Sequence, residues 1–252
     1  MATSFFNRLQ LFYDFILKRA IVRGKPIDLT IETTTKCNLR CPMCTPEALI
    51  PAEKDMDLPL FKKIIDEGQK YVEIVAPMYL GEPLLNPQIY DLIKYCKQRG
   101  LRVLLSTNAT TLNKKTTEAL LDTGLDYLSR SFDGASRQTF EQYRLGADFD
   151  KVKNNIIKFL KTKADLHAKT HCVVQMVIFK ENVGEVEPFK NLWRDVEGLD
   201  ELRLKPNTNL DGDFAIPRPI DNPTVFKKPC FRGDRDLFRL GLAGATEHAH
   251  SR

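Results

Sequence analysis

Cys37, Cys41 and Cys44 lie within the segment TTTKCNLRCPMC, three thiols in eight residues. Thiolates are soft ligands, and three this close read as a metal-binding set rather than as disulfide partners. A structural zinc site normally takes four protein ligands, and the sequence offers neither a second cysteine pair nor paired histidines at suitable spacing. His167 and His171 stand four residues apart, but one lies in a lysine-rich stretch and the other opens a strand-like run, so both read as solvent-facing. A 4Fe–4S cube has four iron corners. Three thiolates would leave one iron open to an outside ligand, as catalytic metal sites keep a position vacant. A zinc module remains as a simpler alternative at this point.

These cysteines need a frame. Hydrophobic residues make up 42% of the 252-residue chain and charged residues 28%, an ordinary globular balance that excludes a largely disordered chain and a polytopic membrane protein. The net charge of +5 comes from basic residues scattered among acidic ones, so no nucleic-acid partner is expected. Six cysteines are too few for a disulfide scaffold and no signal-peptide pattern precedes them, so the expected compartment is the cytoplasm.

Phe5, Leu9, Phe12 and Phe15 or Ile16 recur at helical spacing, with Arg8, Lys18, Arg19 and Arg23 between or after them. Charge interrupts this stretch too often for a membrane span. The expectation for residues 1–24 is an amphipathic helix packed on the following domain, with a membrane-surface anchor as the alternative. From Lys25 onward the chain alternates. Short β-branched runs are expected as strands at Ile27–Glu32, Val72–Ala76, Arg102–Ser106, Tyr127–Phe132, Cys172–Phe179 and Glu201–Lys205. Helix-period segments separate them: Leu58–Lys70, Gln88–Arg99, Lys114–Asp122, Ser136–Tyr143 with Lys151–Lys161, and Val186–Val196. Gly100 and Gly124 stand where C-terminal caps belong. Six alternations give an α/β fold with a parallel sheet covered by helices. Periodicity does not decide between an open sheet and a barrel, but in either case the site belongs at the carboxyl ends of the strands.

Four motifs stand at those ends in order. The cysteine triplet, spaced Cys-x3-Cys-x2-Cys, follows the first expected strand. GEPLLNP begins at Gly81 after the second, STNAT surrounds Thr107 and Asn108 after the third, and SFDGASRQTFEQYR runs from Ser131 to Arg144 after the fourth. Together they resemble the radical S-adenosylmethionine (SAM) superfamily, in the branch whose members often carry a C-terminal SPASM auxiliary-cluster domain. The resemblance covers about residues 25–205 and implies a partial (β/α)6 TIM-like barrel behind an N-terminal amphipathic helix. It departs from the family pattern at Tyr79-Leu80, where small residues usually precede the GEP loop, and at Met43, where an aromatic residue is common.

The resemblance implies a 4Fe–4S cluster on Cys37, Cys41 and Cys44, with SAM bound to the open iron through its amino and carboxylate groups. Reductive cleavage would then give a 5′-deoxyadenosyl radical that takes hydrogen from a peptide or small-metabolite substrate. An electron donor such as flavodoxin or ferredoxin is implied as partner. Glu82 would accept from the methionine ammonium, Gly81 would allow close backbone approach and Pro83 would stiffen the loop. Arg144 would clamp the SAM carboxylate, and Ser131 and Asp133 would bond the ribose hydroxyls. The plainer readings are a solvated Glu82 in a strand-to-helix turn, and Asp133-Gly134 as a turn with Ser136 capping the next helix. Asn108 reads equally as a SAM contact or a turn former. Gln175, Met176, Lys205 and Asn207 are placed to face nucleoside or substrate, or a solvated rim. Cys96 and Cys172 read as small buried hydrophobes.

Residues 207–252 read as a linker and a truncated SPASM-like segment. Cys230 in KKPCF resembles the entry to such a domain, but a lone thiol cannot hold another cube, so no auxiliary cluster is expected. The alternative to an oxidoreductase or transferase is a non-catalytic iron–sulfur or metal-binding protein that keeps the barrel.

Overall fold

The structure is a computed structural model and describes residues 2–44, 52–206 and 226–227. Asn207, Cys230 and nearly all of the SPASM-like segment lie outside the described residues. Six strands run parallel in chain order: β1 (Asp28–Thr30), β2 (Ile74–Ala76), β3 (Arg102–Thr107), β4 (Tyr127–Ser131), β5 (His171–Ile178) and β6 (Glu201–Pro206). A short β7 (Phe226–Lys227) adds antiparallel to β6. Among the described residues β1 pairs with β2 alone, so the sheet is an open partial barrel.

Between the strands lie α2 (Leu58–Gly68), α3 (Ile89–Gln98), α4 (Lys114–Asp122), α5 (Arg137–Tyr143), α6 (Phe149–Asp165) and α7 (Val186–Trp193), preceded by α1 (Ala2–Ile16). Local chemistry sets their ends. Asn113 and Thr116 form a capping box on α4, Ser136 caps α5 and Asp148 caps α6. The Asp148 cap starts α6 two residues before the expected Lys151. Gly100 and Gly124 both take φ of +73°, the left-handed C-terminal geometry that their positions predict.

Alternation along each strand separates two faces. Val103, Leu105, Leu128, Val174 and Leu202 are buried against helical residues such as Phe61, Ile93, Leu120, Ile156 and Phe159. Each such side chain contributes about 1.5–3 kcal/mol on leaving water. Met176 belongs to this helix-side core, which removes it from the expected substrate rim. Cys96 and Cys172 are fully buried in the same core. The opposite, concave face is polar from β4 to β6: Ser131, Gln175 and Arg203 are register partners there, and Gln175 Nε2 donates to Ser131 Oγ at 3.1 Å. At the end of β4, Phe132 packs on Phe140 (4.4 Å between centroids) and edge-on to Trp193 (5.0 Å), fixing α5 and α7 beside the next residues, Asp133 and Gly134.

Helix α1 departs from expectation. It docks through polar groups rather than through its apolar stripe. Arg8 pairs with Glu73, Asn7 exchanges hydrogen bonds with the backbone of Lys25, and Asp14 Oδ2 accepts from the Arg23 and Gly24 amides at 2.7 and 2.9 Å. The expected apolar packing of this helix is therefore corrected, because the segment after it turns back and offers backbone donors to Asp14.

Candidate active site at the carboxyl ends of the strands

The cysteine loop leaves β1 and is held by three neighbouring loops. The segment after β2 comes closest. Thr33 Oγ1 donates to the Pro77 carbonyl (2.8 Å), Asn86 Nδ2 donates to the Thr33 carbonyl (2.8 Å), and the Glu82 amide donates to the Lys36 carbonyl (2.8 Å). This contact is possible only at a glycine: a Cβ on Gly81 would stand 2.1 Å from the Thr34 oxygen. Glu32 Oε1 accepts from the amides of Leu80 and Gly81, tying the end of β1 to the same loop. From the loop after β3, Asn108 Nδ2 donates to Asn38 Oδ1 (2.9 Å), and Asn38 in turn donates to Thr110 Oγ1. From the segment after α5, the Leu145 carbonyl accepts from the Arg40 amide (3.0 Å).

Glu82 is buried and caps the 3-10 turn Pro83–Leu85. Its Oε1 accepts from the Thr107 hydroxyl (2.6 Å) and the Leu84 amide (3.2 Å), and its Oε2 accepts from the Asn108 amide (2.8 Å). Burial pushes its pKa up, opposed by those three donors and by the charge of Arg144. Glu82 is thus no solvated turn residue. It bolts the second loop to the third.

Asp133 and Arg144 form a buried pair. Arg144 Nε donates to Asp133 Oδ2 at 2.6 Å, its Nη2 pairs with the same oxygen, and its Nη1 faces Cys41 Sγ at 3.9 Å. Burial works against the guanidinium charge, but Asp133 and Cys41 outweigh it and hold Arg144 above its ordinary value. Asp133 Oδ1 accepts from the Val177 amide (2.7 Å), and its carbonyl accepts from Asn182 Nδ2 (3.3 Å). With no exposed surface, Asp133 does not reach a ribose in this arrangement; its carboxylate aims Arg144 at the cysteine loop. Ser131, by contrast, stands on the concave face with Gln175. Asn108 shapes its own turn, its Oδ1 accepting from Thr110, as well as holding Asn38. Lys205 is exposed at the end of β6.

The three thiols are free, Cys37 and Cys41 half-buried and Cys44 exposed, and the Cys44 amide donates to the Cys41 carbonyl at 3.0 Å. Burial pushes Cys37 up, reinforced by Glu82 and Cys44; it pushes Cys41 up as well, where Arg144 opposes it. Among the described residues no three His, Cys, Asp or Glu side chains converge on one metal ion. A cube makes no such demand, because each thiolate binds a different iron corner. A donor set of three neighbouring soft thiols, beside one carboxylate and one guanidinium, fits a 4Fe–4S cluster and does not fit a four-ligand zinc site.

Sequence reasoning passed over Glu32, Asn38 and Asn182, which hold the loops. Asn38 stands next to Cys37 and could have been flagged by that position; Glu32 and Asn182 carry no such signal.

The profile of the Radical SAM superfamily matches residues 31–192. The chain is 32% identical over 164 residues to the tungsten-containing aldehyde ferredoxin oxidoreductase cofactor-modifying protein of Pyrococcus furiosus, covering 63% of this chain and 45% of that protein. It is 31% identical over 176 residues to the GTP 3′,8-cyclase of Aliarcobacter butzleri, covering 66% and 52%. The chain thus spans about half the length of these curated relatives. Streptococcus suis SuiB bound to precursor peptide SuiA superposes with a TM-score of 0.63 at 17% identity, over 77% of this chain and 42% of that one, a likeness of fold. The four motifs, their meeting at one end of an open six-stranded barrel, and the profile match lead to one assignment: the chain belongs to the radical SAM superfamily, which works with a 4Fe–4S cluster and SAM.

Proposed function

We propose that residues 25–206 form the catalytic core of a radical SAM oxidoreductase or transferase acting on a peptide or small metabolite. The observation that carries this reading is the approach of the Cys41 thiol, the Arg144 guanidinium and the Glu82 carboxylate to one another at the carboxyl end of the sheet. Cys37, Cys41 and Cys44 would hold the cluster, which supplies the electron that cleaves SAM to a hydrogen-abstracting 5′-deoxyadenosyl radical. Arg144 spends two N–H groups on Asp133 and turns another toward Cys41, leaving donors for a carboxylate beside the cluster. Glu82 Oε2 takes one donor from its own chain and keeps a lone pair for an ammonium group. Gly81 and Pro83 set the backbone that presents it, and Asn108 ties down the cysteine loop through Asn38. Ser131, with Gln175 behind it, is the hydroxyl offered to a ribose; Asp133 acts through Arg144. The concave polar face of β4 to β6 is the wall against which a substrate would rest.

Flavodoxin or ferredoxin in the cytoplasm would serve as electron donor. Among the described residues no helix is long and apolar enough to cross a membrane. Anaerobic reconstitution with iron and sulfide tests the reading: the protein should turn brown and cleave SAM to 5′-deoxyadenosine under dithionite. Cys37→Ala, Cys41→Ala and Cys44→Ala should each abolish both signals. A loaded cluster that leaves SAM intact would instead identify a non-catalytic iron–sulfur protein.

A further inference from the structure

Helix α1 faces the wrong way for a helix that belongs only to this fold. The buried positions of α2, α3, α6 and α7 are mainly apolar and lie toward the sheet. Among the described side chains of α1 the most buried is Asp14, 3% exposed, and the groups bonded to the domain are polar. At ~100° per residue, Phe5, Leu9, Phe12 and Ile16 fall within an arc of about 60° on the side opposite Asp14. Phe5 is 60% exposed and Phe12 59%. The apolar surface continues past the helix to Ile21, 81% exposed. Leaving this many large apolar groups in water is costly, and such a patch marks an interaction surface.

Its electrical character selects the occupant. Residues 1–25 carry five basic side chains and one acid, a net +4 in a chain whose total is +5. Arg8 and Arg19 are paired with Glu73 and Asp14, while Lys18, Arg23 and Lys25 are exposed in the segment that follows the helix and their side chains have no ion-pair partner among the described residues. A second copy docking through the same segment would set one net-positive stretch against another, a like-charge arrangement that opposes association. Residues 207–252 hold seven basic and six acidic side chains, so they offer no complementary charge either. An anionic bilayer supplies both requirements, an apolar layer for the phenylalanines and negative headgroups for the lysines and arginines.

We propose that α1 and the basic turn after it dock this protein on the surface of an anionic lipid bilayer, lying in the interface rather than crossing it. The placement suits the rest of the molecule. Arg8 meets Glu73 just before β2, and Asn7 meets Lys25 just before β1, so α1 sits at the amino ends of the strands. The cysteine loop stands at the opposite, carboxyl ends. A protein held through α1 therefore keeps its open barrel mouth toward the aqueous side, accessible to a soluble substrate and electron donor.

Co-sedimentation of the full chain with vesicles of equal parts phosphatidylglycerol and phosphatidylcholine tests this, with pure phosphatidylcholine vesicles alongside. The mixed vesicles should bind the protein, added salt should weaken the binding, and the neutral vesicles should retain far less. Phe5→Ser with Phe12→Ser should lower partitioning at least tenfold while the melting temperature stays put, since both side chains are already in water. Lys18→Ala and Arg23→Ala should each cost about fivefold on the anionic vesicles. Failure to sediment with either vesicle overturns the proposal, as does equal binding to both. A concentration-dependent dimer, seen by analytical ultracentrifugation and dispersed by the same phenylalanine substitutions, would show a second copy as the occupant and also overturn it.

Discussion

Replacing Asp133 by Asn would leave a buried guanidinium without its counter-charge. In the wild type one carboxylate oxygen takes two N–H groups of Arg144 and the other takes the Val177 amide, with no solvent reaching either. An asparagine can satisfy one side with its carbonyl but must then turn its amino group toward donors on the other. Removing one member of a buried pair costs about 3–5 kcal/mol. For a domain of this size each kcal/mol moves the midpoint by about 2–4 °C, so Asp133→Asn should lower it by about 6–20 °C. Arg144→Met should destabilise by a similar amount, since it strands the carboxylate instead. The combined Asp133→Leu, Arg144→Met protein should lose much less than the two effects added, because a well-packed apolar pair replaces an ion pair at little cost. Thermal melts of the cluster-free chain followed by circular dichroism give all three midpoints. Additive losses, or a shift of under about 2 °C for Asp133→Asn, would refute the argument that Asp133 exists to hold Arg144.

Glu82→Gln should cost about 1–3 kcal/mol in urea unfolding, because its amino group must oppose either the Asn108 amide or the Thr107 hydroxyl and Leu84 amide. Unchanged stability would show that these contacts are dispensable. Gly81→Ala should hinder cluster loading more than it lowers helix content, read from the visible absorbance of reconstituted protein, since the added methyl would meet the Thr34 carbonyl beside the cysteine loop. Loading at the wild-type level would contradict that close approach. The Arg23 and Gly24 amides, together with Gln10 and Arg19, pull the Asp14 carboxyl down to about 2. A depressed carboxyl adds stability that is present above its ordinary range and lost as pH falls through the depressed value. Hydrogen exchange should therefore show those two amides protected from neutral pH down to about 3, and unprotected throughout in Asp14→Ala.

The sheet was legible because its cause is local and repeated. Six β-branched runs separated by helix-period segments admit few arrangements, and all six expected strands form, although β1 and β2 shorten to three residues each. At the carboxyl end of β1, Glu32 turns to the Leu80 and Gly81 amides instead of continuing the ladder, while at the amino end of β2 the Glu73 side chain pairs with Arg8 of α1. The cysteine set and its companion motifs were legible from residue type and order. What the sequence concealed was who bonds to whom. Nothing in SFDGA says that Asp133 will be buried under Phe132 and Asn182 rather than left facing the opening; that follows from the aromatic cluster of α5, α6 and α7, assembled from residues up to 61 positions away. Helix α1 was concealed for a similar reason. Its apolar period was plain, but the direction in which that stripe points depends on the amides of Arg23 and Gly24 returning to Asp14.

These two surprises have a common physical origin. At the barrel mouth Glu82, Asn108 and Arg144 each satisfy partners of their own chain first, and only the capacity left over faces outward. That order suits a site required to bind a charged cofactor in a fixed pose. A carboxylate or guanidinium already held by two or three strong bonds loses little further freedom when a ligand arrives, so the ordering cost is met during folding rather than during binding. It also makes the site brittle. Removing Asp133 should disturb Arg144, and through it the Cys41 environment, although Asp133 itself touches neither the thiols nor the opening. A substitution at Asn182, which supports the Asp133 backbone, should produce a weaker version of the same defect, with loss of SAM affinity exceeding loss of cluster content. Equal losses of both would mean that Asn182 supports the barrel as a whole instead of orienting one arginine.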